Sequence, residues 1–119
     1  MQKYLKKTDT KLKLRQAKIE DLYFILMLHN QNVIEKKFSS KKKVKIKDHK
    51  IWFTNKRKEK MLFIGSLNKK IGYVRYDYLS KKCLSVSIAV IKKYKRKGFG
   101  KQMILKTLNK KKISKFDVI

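Results

Sequence analysis

Hydrophobic and polar residues alternate with a period of two in several segments of the chain, and each such segment predicts a β-strand. The clearest alternation covers residues 83–90, where Leu84, Val86, Ile88 and Val90 are separated by small or polar residues. This is the pattern of a half-buried strand. Shorter segments predict strands at residues 11–15, 70–77 and 114–119, and a compact apolar run predicts another at residues 60–65, with turns at residues 68–70 and 79–82.

Other segments repeat their apolar residues every three or four positions, which predicts helices. One helix is predicted over residues 18–28, ending at residues 29–32, and a second short helix over residues 33–38, before the basic loop 39–43. A third covers residues 46–58, and a fourth follows Gly100 with Ile104, Leu105 and Leu108 on one face.

The order of these elements predicts one mixed α/β domain over residues 11–119, preceded by a flexible basic segment, residues 1–10. Three consecutive strands joined by short turns form an antiparallel meander. The helix between the last two strands is a crossover, so those strands are expected to be parallel.

Composition narrows the class of protein. No apolar run approaches the roughly 20 residues that span a bilayer, and the basic N-terminus leads into no signal-peptide core, so a cytoplasmic protein is expected. Cys83 is the single cysteine. A disulfide framework and a cysteine-rich zinc site are therefore excluded, and no metal site is predicted.

The net charge of +27, from 35 basic and 8 acidic residues, admits two interpretations. It favours binding to a polyanion such as RNA. Alternatively, lysine is simply abundant and solvated, because the lysines are scattered over all elements and no aromatic-rich strand typical of RNA-binding sheets is present. Both interpretations remain open.

The segment KRKGFG at residues 95–100 lies between the alternating strand and the last helix and has the properties of an anion-binding turn. Glycines let the backbone approach a phosphate closely. The free amides and positive dipole end of a helix N-terminus attract the anion. The segment therefore predicts a site for a diphosphate-containing ligand.

Residues 95–100 do not match two other glycine-rich, phosphate-binding motifs. A Walker loop needs a different spacing of glycine and lysine. A dinucleotide fingerprint requires a third glycine where Met103 stands. If only residues 95–100 are considered, an alternative remains: the glycines simply allow a helix to start there, and no ligand is bound.

A strand ending at Val90 and followed by this turn resembles the coenzyme-binding motif of the GNAT acetyltransferases, normally Arg/Gln-x-x-Gly-x-Gly/Ala, with Lys95 in the place of Arg or Gln. The resemblance implies acetyl-CoA as the acetyl donor. It also implies a pantetheine arm that pairs with the strand and a pyrophosphate held by the turn. The cofactor-binding residues it assigns are Ile88, Ala89, Val90, Lys95, Arg96, Lys97, Gly98, Phe99, Gly100 and Lys101.

A longer resemblance covers roughly residues 12–108. Over this range the chain resembles GNAT enzymes that acetylate a nucleotide-linked amino sugar in surface-glycan pathways such as pseudaminic acid synthesis. The matching residues include Asn30, Phe38-Ser39, His49-x-x-Trp52-Phe53 and the segment 71–77. It implies a nucleotide-sugar acceptor bound by Asn30, His49, Trp52 and Arg75. The alternative acceptors are a protein amine or another small amine.

The same resemblance implies direct attack of a neutral amine on the thioester in a ternary complex. A base must take the amine proton. Asp77 is the nearby carboxylate that the sequence offers, and Ser85 lies about where many relatives carry a glutamate, so these two are the catalytic candidates.

GNAT domains usually continue beyond the fifth strand with another helix and two strands. The expected fold is therefore a GNAT-like, mostly antiparallel sheet flanked by helices and lacking that part. Its last strand then forms an open edge that a homo-oligomer is expected to cover. A shortened domain with weak catalysis that binds polyanions is the alternative function.

Overall fold

The computed structural model describes residues 11–34 and 45–119, with only the backbone described for residues 32–34. Five strands form one sheet in the order β1-β2-β3-β4-β5. The strands are β1 (Lys13–Gln16), β2 (Leu62–Leu67), β3 (Lys69–Tyr78), β4 (Cys83–Val90) and β5 (Asp117–Val118), and the helices are α1 (Leu22–Ile34), α2 (Ile46–Glu59), α3 (Phe99–Leu108) and α4 (Lys111–Ser114). Short 3₁₀ turns cover Ile19–Asp21 and Lys92–Tyr94.

The sheet is antiparallel from β1 to β4, and its last pair is parallel. β4 pairs with β3 from Leu84, opposite Tyr78, to Val90, opposite Gly72. β5 pairs with β4 at only two positions, Cys83 and Leu84. The predicted meander and the predicted parallel crossover are both confirmed.

Each face of the sheet carries its own hydrophobic core, because alternate side chains of a strand point to opposite faces. Helices α1 and α2 cover one face, and α3 covers the other. The first core contains Leu22, Ile25, Leu28, Phe53, Leu62, Ile64, Tyr73 and Ala89; the second contains Leu12, Met61, Phe63, Ile71, Val74, Tyr76, Leu84, Val90, Met103 and Ile113.

Met103 of α3 is fully buried against the sheet where two glycines leave space. A Cβ atom at Gly65 would lie 2.5 Å from the Met103 sulfur, and one at Gly72 would lie 3.2 Å from its terminal methyl carbon. The two glycines thus let α3 approach the sheet closely, and this fixes the position of its N-terminus.

Most predicted boundaries shift by one to four residues, and two regions differ more. The first helix does not end at residues 29–32 but continues to Ile34, so the start of the predicted second helix belongs to α1. Polar residues at 29–32 did not end it, since none of them is a glycine or a proline, the residues that interrupt a helix most strongly. A short helix, Lys111–Ser114, was not predicted, and it shortens the last strand to Asp117–Val118.

The predicted flexible segment 1–10, residues 35–38 of the predicted second helix and the basic loop 39–43 lie outside the described residues. Within the described ranges, no helix is both long and apolar enough to cross a membrane. The same ranges contain no cluster of three or more His, Cys, Asp or Glu side chains that could hold a metal ion.

Candidate functional site

The turn between β4 and α3 contains two residues in the left-handed region of backbone conformation. Two residues in it have positive φ, Arg96 at 62° and Gly98 at 83°. The helix bonding of α3 begins when the Gln102 amide donates to the Gly98 carbonyl oxygen, at 3.1 Å. The preceding amides, those of residues 99–101, therefore have no acceptor within the helix.

There is space for a side chain at Gly98 but not at Gly100. A Cβ atom at Gly98 would meet nothing within 4 Å, whereas one at Gly100 would lie 2.5 Å from Cδ1 of Ile88. Gly100 thus lets the first turn of α3 pack directly against β4. The free amides, the positive helix end and the basic residues 95–97 converge beside the end of this strand.

β4 has an open backbone edge beside this turn. From residue 85 onward, it has no strand partner on the side of β5 within the described chain. The Ile91 amide donates to Ile71 on β3, whereas the Leu84 carbonyl accepts from Ile119 on the other side. Because backbone groups alternate along a strand, those of Val86, Ile88 and Val90 point to the open edge.

The same alternation gives Ala89 a different position from its two neighbours. Ala89 lies two residues before Ile91, whose amide donates to Ile71 on β3, so the backbone groups of Ala89 also point toward β3. It is also buried, with 4% of its surface exposed. Among the predicted coenzyme-pairing residues, Ile88 and Val90 therefore have groups on the open edge, and Val86 is an additional residue that the sequence did not identify.

A cavity of about 260 Å³ lies on the opposite face of the sheet from α3, between α1, α2 and β3. It brings together three of the four predicted acceptor-binding residues, His49, Trp52 and Arg75. Asn30 is half-buried on α1 and is not among the described lining residues. The remaining lining residues are Ile25, His29, Asp48 and Tyr73.

Those four residues were not predicted. Tyr73 was detectable, because it lies two positions before Arg75 on the same face of a strand. Asp48 directly precedes His49, but no motif or spacing in the sequence marks it as a site residue. His29 was assigned to a helix end that the structure does not have.

Arg75 is held in the cavity wall by contacts on several sides. Its guanidinium carbon lies 5.7 Å from the centre of the Trp52 ring, a cation–π contact. Its Nε donates to Asp77 at 2.8 Å and its Nη2 donates to Ser87 Oγ at 3.3 Å. Arg75 is therefore a positioned cation that faces a space with aromatic walls.

Asp77 is part of an ion-pair chain. One of its carboxylate oxygens accepts from Arg75 and the other from Lys56, which is buried and also bonds Glu59 and the Tyr76 carbonyl oxygen. Because both oxygens face cations, the geometry does not support the predicted role of Asp77 as a base. It supports a role in holding Arg75.

Ser85, the second catalytic candidate, lies directly opposite Asp77 on the neighbouring strand and is half-buried. It is not among the described residues that line the cavity. A hydroxyl group is also a poor proton acceptor. Nothing in this arrangement supports Ser85 as the base.

His49 is buried in the cavity wall. Its ring stacks on Trp52, with 5.5 Å between ring centres, and its Nε2 lies 2.9 Å from the Leu22 carbonyl oxygen. Burial lowers the pKa of His49 below its ordinary value of about 6.5, and the bond to Leu22 opposes this only partly. The imidazole is therefore neutral at pH 7.

No family model matches the sequence, and no curated protein matches it. Solved structures do match the fold. An N-acetyltransferase from Staphylococcus aureus is 22% identical with a TM-score of 0.70, and the match covers 82% of this chain and 64% of that one. This chain therefore spans just under two thirds of the length of that structure.

Two further structures have the same fold with different acceptors in their names. A ribosomal-protein-alanine N-acetyltransferase from Brucella melitensis is 16% identical, with a TM-score of 0.66 and coverage of 81% of this chain and 64% of that one. A GNAT superfamily phosphinothricin acetyltransferase from Sinorhizobium meliloti, in complex with AcCoA, is 16% identical, with a TM-score of 0.65 and coverage of 80% and 56%. The chain has the mixed α/β fold of the GNAT N-acetyltransferases.

Proposed function

We propose that this chain binds acetyl-CoA and transfers its acetyl group to a primary amine. The observation that carries the proposal is the open edge of β4 leading into the left-handed turn and the N-terminus of α3. The amides of residues 99–101 suit the pyrophosphate. The free backbone groups of Ile88 and Val90 suit the amides of a pantetheine arm, which would add to the sheet like a further strand.

The fit of the coenzyme to these residues rests on backbone geometry. Gly98 leaves open space at the turn, and the surrounding charge is positive. When bound, acetyl-CoA would supply the acetyl group as a thioester. The open-edge amide of Val90 or Ile88 would donate a hydrogen bond to the carbonyl oxygen as negative charge develops on it.

The test is calorimetric titration of the chain with acetyl-CoA at low salt. A Gly98→Val variant places a β-branched residue at a positive φ in the turn and is expected to weaken binding at least about tenfold, or about 1.4 kcal/mol. Asn68→Val is the matched control, because Asn68 has φ of 72° in the β2–β3 turn and lies outside the site. Absence of acetyl-CoA binding by the parent chain would refute the proposal.

For the acceptor, we propose a nucleotide-linked amino sugar. The support is the cavity, in which Arg75 offers a fixed cation to a phosphate and Trp52 an aromatic surface to a sugar or base. The cavity adjoins β4, because Tyr73 and Arg75 pair with Ala89 and Ser87 of that strand.

Turnover of a UDP-linked amino sugar, compared with a peptide amine and a simple alkylamine, tests this acceptor. Preference for the peptide amine would refute it and leave acetyl transfer intact. Binding of unrelated RNA with a steep salt dependence, together with no acetyl-CoA binding, would instead favour the polyanion-binding alternative.

A further inference from the structure

The protonation of the His49 ring follows from its hydrogen bond. The Leu22 carbonyl oxygen can only accept, so the Nε2 atom that lies 2.9 Å from it carries the proton. In the neutral ring the other nitrogen, Nδ1, then holds a lone pair. Within the described part of the chain the ring makes no other hydrogen bond, although only 4% of the residue is exposed.

The ring is fixed in place as well as neutral. Trp52 stacks on it, and the Phe53 ring centre lies 5.9 Å from its own. The titratable and charged groups around the cavity come from every element that packs there: His29 from α1, Asp48 from α2, and Tyr73 and Arg75 from β3. A buried, immobilised ring that carries a lone pair thus forms part of the wall of a cavity with a mixed polar lining and room for a ligand.

The cavity adjoins the strand that is proposed to hold the coenzyme arm. Its β3 wall pairs with residues 87–89 of β4, the strand whose open edge is proposed to hold the coenzyme arm. We propose that Nδ1 of His49 accepts the proton that the acceptor amine loses during acetyl transfer. This role rests on the proposed function.

The step transfers one acetyl group and one proton. A neutral amine forms a bond from nitrogen to the thioester carbonyl carbon, and the bond between that carbon and sulfur breaks, with its electron pair left on sulfur. The nitrogen becomes much more acidic as the new bond forms, so its proton can pass to an imidazole of lowered pKa. The imidazolium then returns the proton to solvent or to the thiolate.

Other side chains near the cavity are less suited to this role. Both oxygens of Asp77 are occupied by cations. Asp48 has no ion-pair partner among the described residues but is exposed. A carboxylate there would attract the ammonium form of an acceptor to the cavity.

The first experiment does not need activity. The chain has two histidines, so imidazole nitrogen NMR spectra of the parent chain and of His29→Gln assign both rings. We expect His49 to be protonated at Nε2 and not at Nδ1 in its neutral form, with a midpoint below about 6.5. Protonation of Nδ1 in the neutral ring would overturn the proposal.

The second experiment measures rates against pH, with the rate corrected for the fraction of neutral amine. His49→Gln keeps a side-chain N–H for the Leu22 carbonyl but has no basic lone pair. We expect kcat to fall about 100-fold or more, the acid limb below pH 6.5 to disappear, and the Kd for acetyl-CoA to stay unchanged. His29→Gln is expected to keep that limb, and Asp48→Asn is expected to keep it while raising KM for the acceptor.

The outcomes separate the two proposals. An active parent chain with an unchanged rate and pH profile in His49→Gln would overturn the role of His49 and leave acetyl transfer standing. Loss of the acid limb in Asp48→Asn rather than in His49→Gln would assign the proton acceptor to Asp48. A parent chain that acetylates no amine would refute the function itself and this step with it.

Discussion

Gly72 and Gly98 are glycines for different physical reasons. At Gly72 a Cβ atom would overlap the Ala89 carbonyl oxygen on the neighbouring strand, so the side chain is excluded by backbone. At Gly98 the space is open and only the positive φ disfavours other residues. One position is restricted by packing and the other by conformation.

Gly72→Ala is therefore expected to lower the free energy of unfolding by about 3 kcal/mol, because strands β3 and β4 must separate to admit the methyl group. Gly98→Ala is expected to cost only about 1 kcal/mol, the penalty of a left-handed residue. Urea denaturation of both variants measures the difference. Equal losses would show that the backbone near Gly72 relaxes freely.

Asp21 is a fully buried carboxylate surrounded by donors. Burial alone would raise its pKa, but hydrogen bonds from Arg15 at 2.7 and 3.0 Å, from the Lys18 amide and from Lys70 outweigh that effect. The pKa of Asp21 is held well below its ordinary value. Its charged form therefore stabilises the junction of β1, the first 3₁₀ turn and β3.

The pH dependence of stability follows from this shift. Below about pH 4 the unfolded chain takes up a proton at Asp21 that the folded chain does not, so the free energy of unfolding falls as the pH decreases. We expect Asp21→Asn to be about 2 kcal/mol less stable at pH 7, with the difference narrowing toward pH 2. Denaturation curves over that range measure it.

Asp117→Asn is the control, because Asp117 is exposed and has no ion pair among the described residues. The free energy of unfolding of the Asp117→Asn variant is expected to equal that of the parent chain at every pH. A constant difference between Asp21→Asn and the parent across the pH range would mean that Asp21 is not charged in the folded state.

At the scale of elements, the docking of α3 on the sheet determines where the proposed pyrophosphate site lies. Met103 provides the central contact, in the space left by Gly65 and Gly72. Thr107, one turn later, is buried and bonds the Tyr76 hydroxyl at 2.6 Å. The helix is thus held to the sheet by one apolar contact and one polar contact.

Met103→Ala is expected to destabilise the fold by about 3 kcal/mol, since it leaves a cavity between α3 and the sheet. Leu105→Ala on the same helix serves as the control, because Leu105 is 53% exposed and its loss should change stability by less than about 0.5 kcal/mol. Thermal or urea unfolding compares the two. Similar effects would contradict the docking role of Met103.

The elements themselves were largely predictable. The alternation from Leu84 to Val90 correctly indicated β4, and the segment 46–58 matched α2 to within one residue. The errors occurred where local signals are weak. Polar residues at 29–32 suggested a helix end, and the short helix before Phe116 has too few residues to show a period.

At the scale of the whole molecule, the charge of +27 on 119 residues is a source of repulsion. Three of the described carboxylates, Asp21, Glu59 and Asp77, are already engaged in ion pairs and neutralise little of the remaining surface. The folded state holds these positive charges closer together than the unfolded chain does.

Added salt is therefore expected to stabilise the chain. Raising NaCl from about 20 to about 300 mM shortens the Debye length from roughly 20 Å to roughly 6 Å. A gain of about 1 kcal/mol would raise Tm by roughly 4 °C for a chain of this size. Thermal melts at the two concentrations measure it, and a Tm that does not rise would show that the charges are too dispersed to repel strongly.

The sequence by itself determined the position of the glycine-containing turn before α3 and the order of the strands and helices, because glycine spacing and hydrophobic period are local properties. It also placed His49, Trp52 and Arg75 in one acceptor group through resemblance. Only the tertiary structure decided which contacts these residues and the catalytic candidate Asp77 make. The pairing of Asp77 with Lys56 and Arg75, and the bond from His49 to Leu22, join residues 2 to 27 positions apart. The longer of these contacts depend on how α1 and α2 pack on the sheet, which no local pattern encodes.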